Sequence, residues 1–188
     1  RFFEVLAGGL GRDDQYAGVR FGQYNRWKLQ ASFNDTMHVF TSNYRSLWSG
    51  VGTDRLTLNG LPAGGTANAA TTDTNIGNVA LQTPYSSLQL VREKGGLRLD
   101  MRLRDRWNVF ASYTAEKREG ARPFGLVSAA GGGTGGVETA ESIDYLTTDM
   151  LAGLSYRGKA NSLNVTVAAS MFRNRIDAYA AESVKLCE

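Results

Sequence analysis

Residues 25–35, NRWKLQASFND, alternate apolar and polar side chains without a slip. Trp27, Leu29, Ala31 and Phe33 fall on one side of the count, and Lys28, Gln30, Ser32 and Asn34 on the other. A β-strand sends successive side chains to opposite faces, so this segment has one oily face and one wet face. The pattern recurs. Leu97, Leu99, Met101 and Leu103 alternate with Arg98, Asp100, Arg102 and Arg104. Trp107, Val109, Ala111, Tyr113 and Ala115 alternate with Asn108, Phe110, Ser112, Thr114 and Glu116. Leu163, Val165, Val167, Ala169 and Met171 alternate with Asn164, Thr166, Ala168 and Ser170. Helical spacing is hard to find. Such a chain has two homes for its oily faces: the core of a soluble sandwich, or the lipid around a transmembrane barrel.

The order of the links favours the barrel. Strands are predicted at about 1–7, 14–23, 26–35, 87–104, 107–118, 142–157 and 162–175. The links at 23–25, around Asp105 and at 158–161 are short, whereas those at 36–86 and 119–141 are long. An outer-membrane barrel alternates short periplasmic turns with longer external loops. Compact soluble domains rarely carry links beyond ~15 residues. Residues 59–80 hold Gly, Ala, Thr and Asn with Asp73 as the only charge, a composition that reads as a solvated or mobile loop. Phe21, Tyr24, Trp27, Trp107 and Tyr156 all lie beside the short turns, as an interfacial girdle would require. Segment 87–104 exceeds the ~9–11 residues that cross a bilayer. Glu93 marks its exit from hydrocarbon, and the remainder projects beyond. A pair of strands with a tight turn at Gly95-Gly96 is the alternative.

The expected fold is therefore all-β: a transmembrane antiparallel up-and-down β-barrel, in which this chain supplies about seven strands of a larger barrel. Strands occupy residues 1–175, with long external loops near 36–86 and 119–141, and residues 176–188 form a tail. The expected lipid-facing set on the first two alternating runs is Trp27, Leu29, Phe33, Leu97, Leu99, Met101 and Leu103. Trp107, Val109, Val165 and Val167 complete it. The lumen side carries Arg20, Lys28, Arg98, Arg102, Arg104 and Arg157, against Asp100 and Glu116. Arg suits an acidic partner because its planar fork pairs bidentately with carboxylates. A solvated wall of internal ion pairs explains the same residues.

Several functions find no support in the sequence. The chain has 188 residues, one Cys (Cys187, to which no role is assigned) and one His, so it has neither an internal disulfide nor a His-cluster metal site. It contains no CxxCH and cannot carry its own c-type haem. Lys+Arg 21 against Asp+Glu 18 is too even a balance to argue for nucleic acid. KREGARPFG (117–125, with Lys117, Arg118 and Arg122) reads as a charged strand exit among headgroups and lipopolysaccharide. GGGTGG (131–136) lacks the Lys-Ser/Thr of a phosphate loop. Asp144 and Asp149 are an odd number apart, on opposite faces of a strand, unsuited to paired acid–base work. His38 is expected in a loop near the external rim.

Five blocks carry a resemblance. GRDDQYAGVRFGQYNRWKLQASF, GVG at 50–52 with LTL at 56–58, EKREGARPFG and ESIDYLTTDMLAGLSYRG resemble, in order and spacing, the MtrB/PioB family of decahaem-associated outer-membrane proteins. The resemblance covers most of residues 1–175. It implies a large barrel in the bacterial outer membrane that sheathes a periplasmic multihaem c-type cytochrome in its lumen. Electrons would then cross the membrane, often through a further cell-surface cytochrome. The barrel would bind no cofactor directly, the haem being the cytochrome's, and would catalyse nothing. Other contacts would be membrane lipid and lipopolysaccharide.

Two features depart from the family pattern. Family barrels are several times longer, and seven strands cannot enclose a cytochrome when eight are just filled by their own side chains. The end SVKLCE (183–188) lacks a terminal aromatic strand, and a CxxC found in some members is absent. The chain is thus expected to be an internal segment of a longer barrel, or an incomplete sequence. A diffusion porin without a cytochrome fits the alternation equally well, and a soluble β-sandwich used for adhesion is the second rival.

Overall fold

A computed structural model describes residues 1–60, 73–130 and 133–182. The chain divides into two compact units. Unit 1 comprises Arg1–Met37, Val91–Arg118 and Tyr145–Arg175, and unit 2 comprises His38–Leu90, Glu119–Asp144 and Ile176–Glu188.

Seven long strands form one sheet: β1 (Phe2–Gly8), β2 (Tyr16–Gln23), β3 (Trp27–Tyr44), β6 (Ser86–Arg104), β7 (Trp107–Ala130), β8 (Gly133–Arg157) and β9 (Ser162–Asn174). Between β3 and β6 the chain forms β4 (Trp48–Ser49), β5 (Arg55–Leu58) and the helix α1 (Asp73–Gln82), and β10 (Ala180–Ala181) follows β9. Sheet order is β1-β2-β3-β6-β7-β8-β9, which is the chain order of the long strands, so each pairs with its successor. This is the antiparallel up-and-down sheet that the alternation and the order of the links predict. The β1, β2 and β3 registers align Phe3 with Phe21, Phe21 with Leu29 and Val19 with Ala31. Side chains directly opposite each other share a face, so register stitches the local patterns into common surfaces.

The short turns are built as the sequence suggests. Asn25 adopts φ 57 between β2 and β3, a left-handed conformation that Asn tolerates better than most residues. The Gly158 N–H donates to the Asn161 carbonyl at 2.7 Å and closes the turn before β9.

The strands run further than their alternation. The link expected at 36–86 begins with strand, since β3 continues to Tyr44, and then holds β4, β5 and α1. Likewise the link expected at 119–141 is largely strand, because β7 extends to Ala130 and β8 starts at Gly133. The reason is that backbone pairing needs no oily face. Once two strands are in register, pairing can continue where the side chains no longer alternate. His38 consequently lies within β3, edge-on to Phe40 at 4.6 Å, and not in a loop. β6 is one unbroken strand of 19 residues, which removes the hairpin at Gly95-Gly96. In the expected tail, Ala180 and Ala181 pair in parallel with Arg55 and Leu56. Most of the low-charge stretch at 59–80, the first two glycines of 131–136, and Cys187 with the rest of 183–188 lie outside the described residues.

Burial is concentrated in unit 2. Tyr44, Leu88, Ala121 and Ala140 form a buried cluster with Val51 against it, and Leu56 is fully buried. The β10-β5-β4 sheet is pinned by side chains distant in sequence. Trp48 Nε1–H donates to the Glu182 carbonyl at 2.8 Å, and the Leu58 N–H donates to Glu182 Oε2 at 2.8 Å. The Tyr179 hydroxyl donates to the Ala140 carbonyl at 2.6 Å, and the Ser142 hydroxyl donates to the Thr53 carbonyl. Burial pushes the Tyr44 and Tyr179 hydroxyls above their ordinary values.

Candidate functional site: the two faces of the sheet in unit 1

In unit 1 the described apolar side chains make no buried cluster; among the described residues, the buried hydrophobic ones all belong to unit 2. On β3, Trp27, Leu29 and Phe33 share a face with Phe21, Val19 and Ala17 of β2. On β8 and β9, Val165 pairs with Leu154 and Val167 with Ala152. One shallow apolar groove, with a volume of about 460 Å3, is lined by Leu29, Leu97, Leu99, Ala111, Tyr113, Met150 and Val167 across the sheet. Alternation places Met101, Leu103, Trp107 and Val109 on that same face. Its side chains stay uncovered: Val167 is 67% exposed, Leu103 56%, Leu97 53% and Val165 48%. A soluble monomer rarely leaves more than a few hundred Å2 of contiguous apolar surface in water. In a sandwich a second sheet would cover this face, and none of the described residues does so.

Aromatic rings gather at the turn end. Phe21 and Trp27 meet edge to face at 5.7 Å, and Trp107 and Tyr156 meet at 4.7 Å. These pairs are cross-strand neighbours on the apolar face. Phe2 and Tyr24 make a third contact, at 5.1 Å.

The opposite face is polar and cationic. Arg20 pairs with Glu4 at 2.9 Å. Arg98 holds Asp100 with two nitrogens, at 2.8 and 3.0 Å, and Lys28 reaches the same carboxylate at 3.8 Å. The Arg98 guanidinium also lies 4.9 Å from the centre of the Phe110 ring. That ring occupies the space where a Cβ at Gly153 would stand, so the glycine is the seat of the aromatic. Arg102 turns to the hairpin, donating to the Asp105 carbonyl at 2.9 Å. Arg104 and Arg157 are the last residues of β6 and β8, at the turn end. Of the six cations singled out in the sequence, only Lys28 and Arg98 converge on one partner.

A denser cluster sits further along β6 and β7. Glu116 is held by Arg92 at 2.6 Å, Arg118 at 2.7 Å and Lys94 at 3.6 Å. Sequence reasoning had Glu116 on this face but missed Arg92, Lys94 and Arg118 as its companions. The available signal was parity: carrying the β6 alternation back from Arg98 reaches Lys94 and Arg92. Arg118, read as part of a headgroup-zone exit, belongs to the polar face of a continuing strand. Among the described residues no three His, Cys, Asp or Glu side chains gather as a metal site, and no helix is long and apolar enough to cross a membrane. The arrangement can bind and orient through charge, and its other face can seek an apolar solvent.

Comparison with known proteins bears on the fold and the family. Residues 1–186 match the family described as "Putative outer membrane beta-barrel porin, MtrB/PioB". The chain is also 26% identical over 168 residues to outer membrane protein MtrB of Shewanella baltica (strain OS185), an alignment that covers 88% of this chain. It spans 22% of the length of that relative. Sequence pattern, sheet topology and family match therefore converge: this chain is a member of the MtrB/PioB family, an outer-membrane β-barrel protein.

Proposed function

We propose that this chain forms part of a barrel wall that sheathes a multihaem c-type cytochrome and so supports electron transfer across the outer membrane. The apolar face of unit 1 meets lipid, and the polar face lines the lumen. The observation that carries the reading is the contrast between the faces: an uncovered oily surface on one side, and on the other a wall whose arginines and lysines outnumber its carboxylates. Lipid demands that backbone groups be paired, because an unpaired group in hydrocarbon costs several kcal/mol. The up-and-down sheet supplies that pairing between neighbouring strands. β1 and β9 each pair on one side only among the described residues, and further strands of the barrel would continue from them.

The role is dielectric and mechanical, not catalytic. The wall keeps a haem chain out of contact with acyl chains, and the haem belongs to the cytochrome. A cation-rich bore suits an occupant whose haem propionates and surface carboxylates are acidic. On the outside, a cell-surface cytochrome and lipopolysaccharide are the expected neighbours.

The test is isolation of the whole native protein from outer membranes in mild detergent. A covalently bound haem protein that co-purifies in fixed ratio, seen by its Soret absorbance, supports the sheath. A folded barrel that never carries a haem band is a diffusion porin, and the proposal is then wrong.

A further inference from the structure

We infer that Glu116 assembles Arg92, Lys94 and Arg118 into a carboxylate-gripping site on the bore wall, which anchors the protein seated in the lumen by its acidic surface. The inference rests on the sheath reading and adds a defined contact to it. Four side chains from two neighbouring strands converge, with three cations around one carboxylate and a net charge of +2. Their exposures separate the roles. The Glu116 side chain is 11% exposed, whereas those of Arg92, Lys94 and Arg118 are 45%, 44% and 53% exposed. The carboxylate is thus enclosed as an internal tether, and the cations reach away from it into solvent. Glu116 engages Nη2 of Arg92 and Nε of Arg118. Each guanidinium has five N–H donors, so most of that capacity points away from the tether. Like charges held this close repel, and a single shared carboxylate offsets part of that repulsion while leaving an excess for an incoming anion.

The site's place on the strands selects its ligand. Alternation puts Glu93 and Lys117 on the opposite, apolar-face side at this level of β6 and β7. Those two residues lie on the outer side, and the cluster lies on the face turned away from the headgroup anions outside the barrel. The cluster lies on the same face as Arg98 and Asp100, the wall of the bore. That face suits an anion seated in the lumen, and the fork geometry of two arginines favours carboxylates on a fixed surface.

The experiment uses the whole native complex in detergent and measures the salt concentration at which half the haem protein is released. Two variants change the charge in opposite senses. Arg92→Gln with Lys94→Gln and Arg118→Gln removes the cations, and release moves to lower salt, with dissociation about tenfold faster at low ionic strength. Glu116→Gln raises the excess charge, and release moves to higher salt. Lys159→Gln, in the turn before β9, is the control and leaves release unchanged. A cluster that only braces the strands would weaken retention in both variants, and shifts of the same sign overturn the inference. So does an unchanged midpoint in a complex that carries haem, which leaves the sheath reading standing. A parent protein without haem removes both. Loss of lipopolysaccharide phosphate from the triple variant at unchanged haem retention assigns the cluster to lipid and refutes the bore site.

Discussion

Placing an arginine at Val167 tests the facing of the sheet most directly. Val167 is the third of the five outward positions on β9, between Leu163 and Met171. At ~3.3 Å per residue it stands ~13 Å along the strand from either end of that series. It pairs with Ala152 and is 67% exposed, so no packed neighbour complicates the substitution. If the face meets lipid, Val167 is near the midplane, where an arginine costs roughly 2–4 kcal/mol. That is a thirtyfold to several-hundredfold drop in the folding equilibrium, at about 1.4 kcal/mol per factor of ten. Leu163→Arg, beside the turn, should cost only ~0–1 kcal/mol, because the penalty fades toward the interface. Ser170→Arg is the parity control: Ser170 lies opposite Asp149 on the polar face, where a cation finds a carboxylate. The assay is urea titration of the whole barrel in phospholipid vesicles, read by the gel-mobility difference between folded and unfolded barrel. A Val167→Arg variant no less stable than Ser170→Arg would refute the assignment of lipid to the apolar face.

Other perturbations address other parts of the molecule. Gly153→Val forces the Phe110 ring from its seat, and overpacking of this kind costs about 1–3 kcal/mol; adding Phe110→Ala should restore much of the loss in the same titration. Leu56→Ala opens a cavity in the unit 2 core at about 2–5 kcal/mol, and limited proteolysis should then cut near residues 45–60 while the membrane strands stay protected. Tyr44 and Tyr179 are both raised, chiefly by burial, so their neutral forms favour the fold. Their contribution is fully present below the ordinary tyrosine value of 10.0 and is lost as pH climbs through the raised folded values. Proteolytic protection of unit 2 should therefore fall above about pH 10, and Tyr179→Phe with Tyr44→Phe should flatten that alkaline limb.

The alternation at 25–35, 97–104 and 163–171 was enough to determine strand type and the two faces of each strand, because a period of two is a local property, and the order of short and long links pointed to the up-and-down arrangement. Where the strands stop was not legible: β3, β7 and β8 run on past the end of their pattern, because ladder hydrogen bonds continue without an oily face. The core of unit 2 was equally hidden, for Trp48, Leu56, Glu182 and Tyr179 meet across distances that no local period encodes. Only register could bring Arg92 and Lys94 to Glu116, and only cross-strand geometry could seat Phe110 over Gly153. Sequence thus set which side of each strand is oily, while tertiary pairing decided which charges and rings became neighbours.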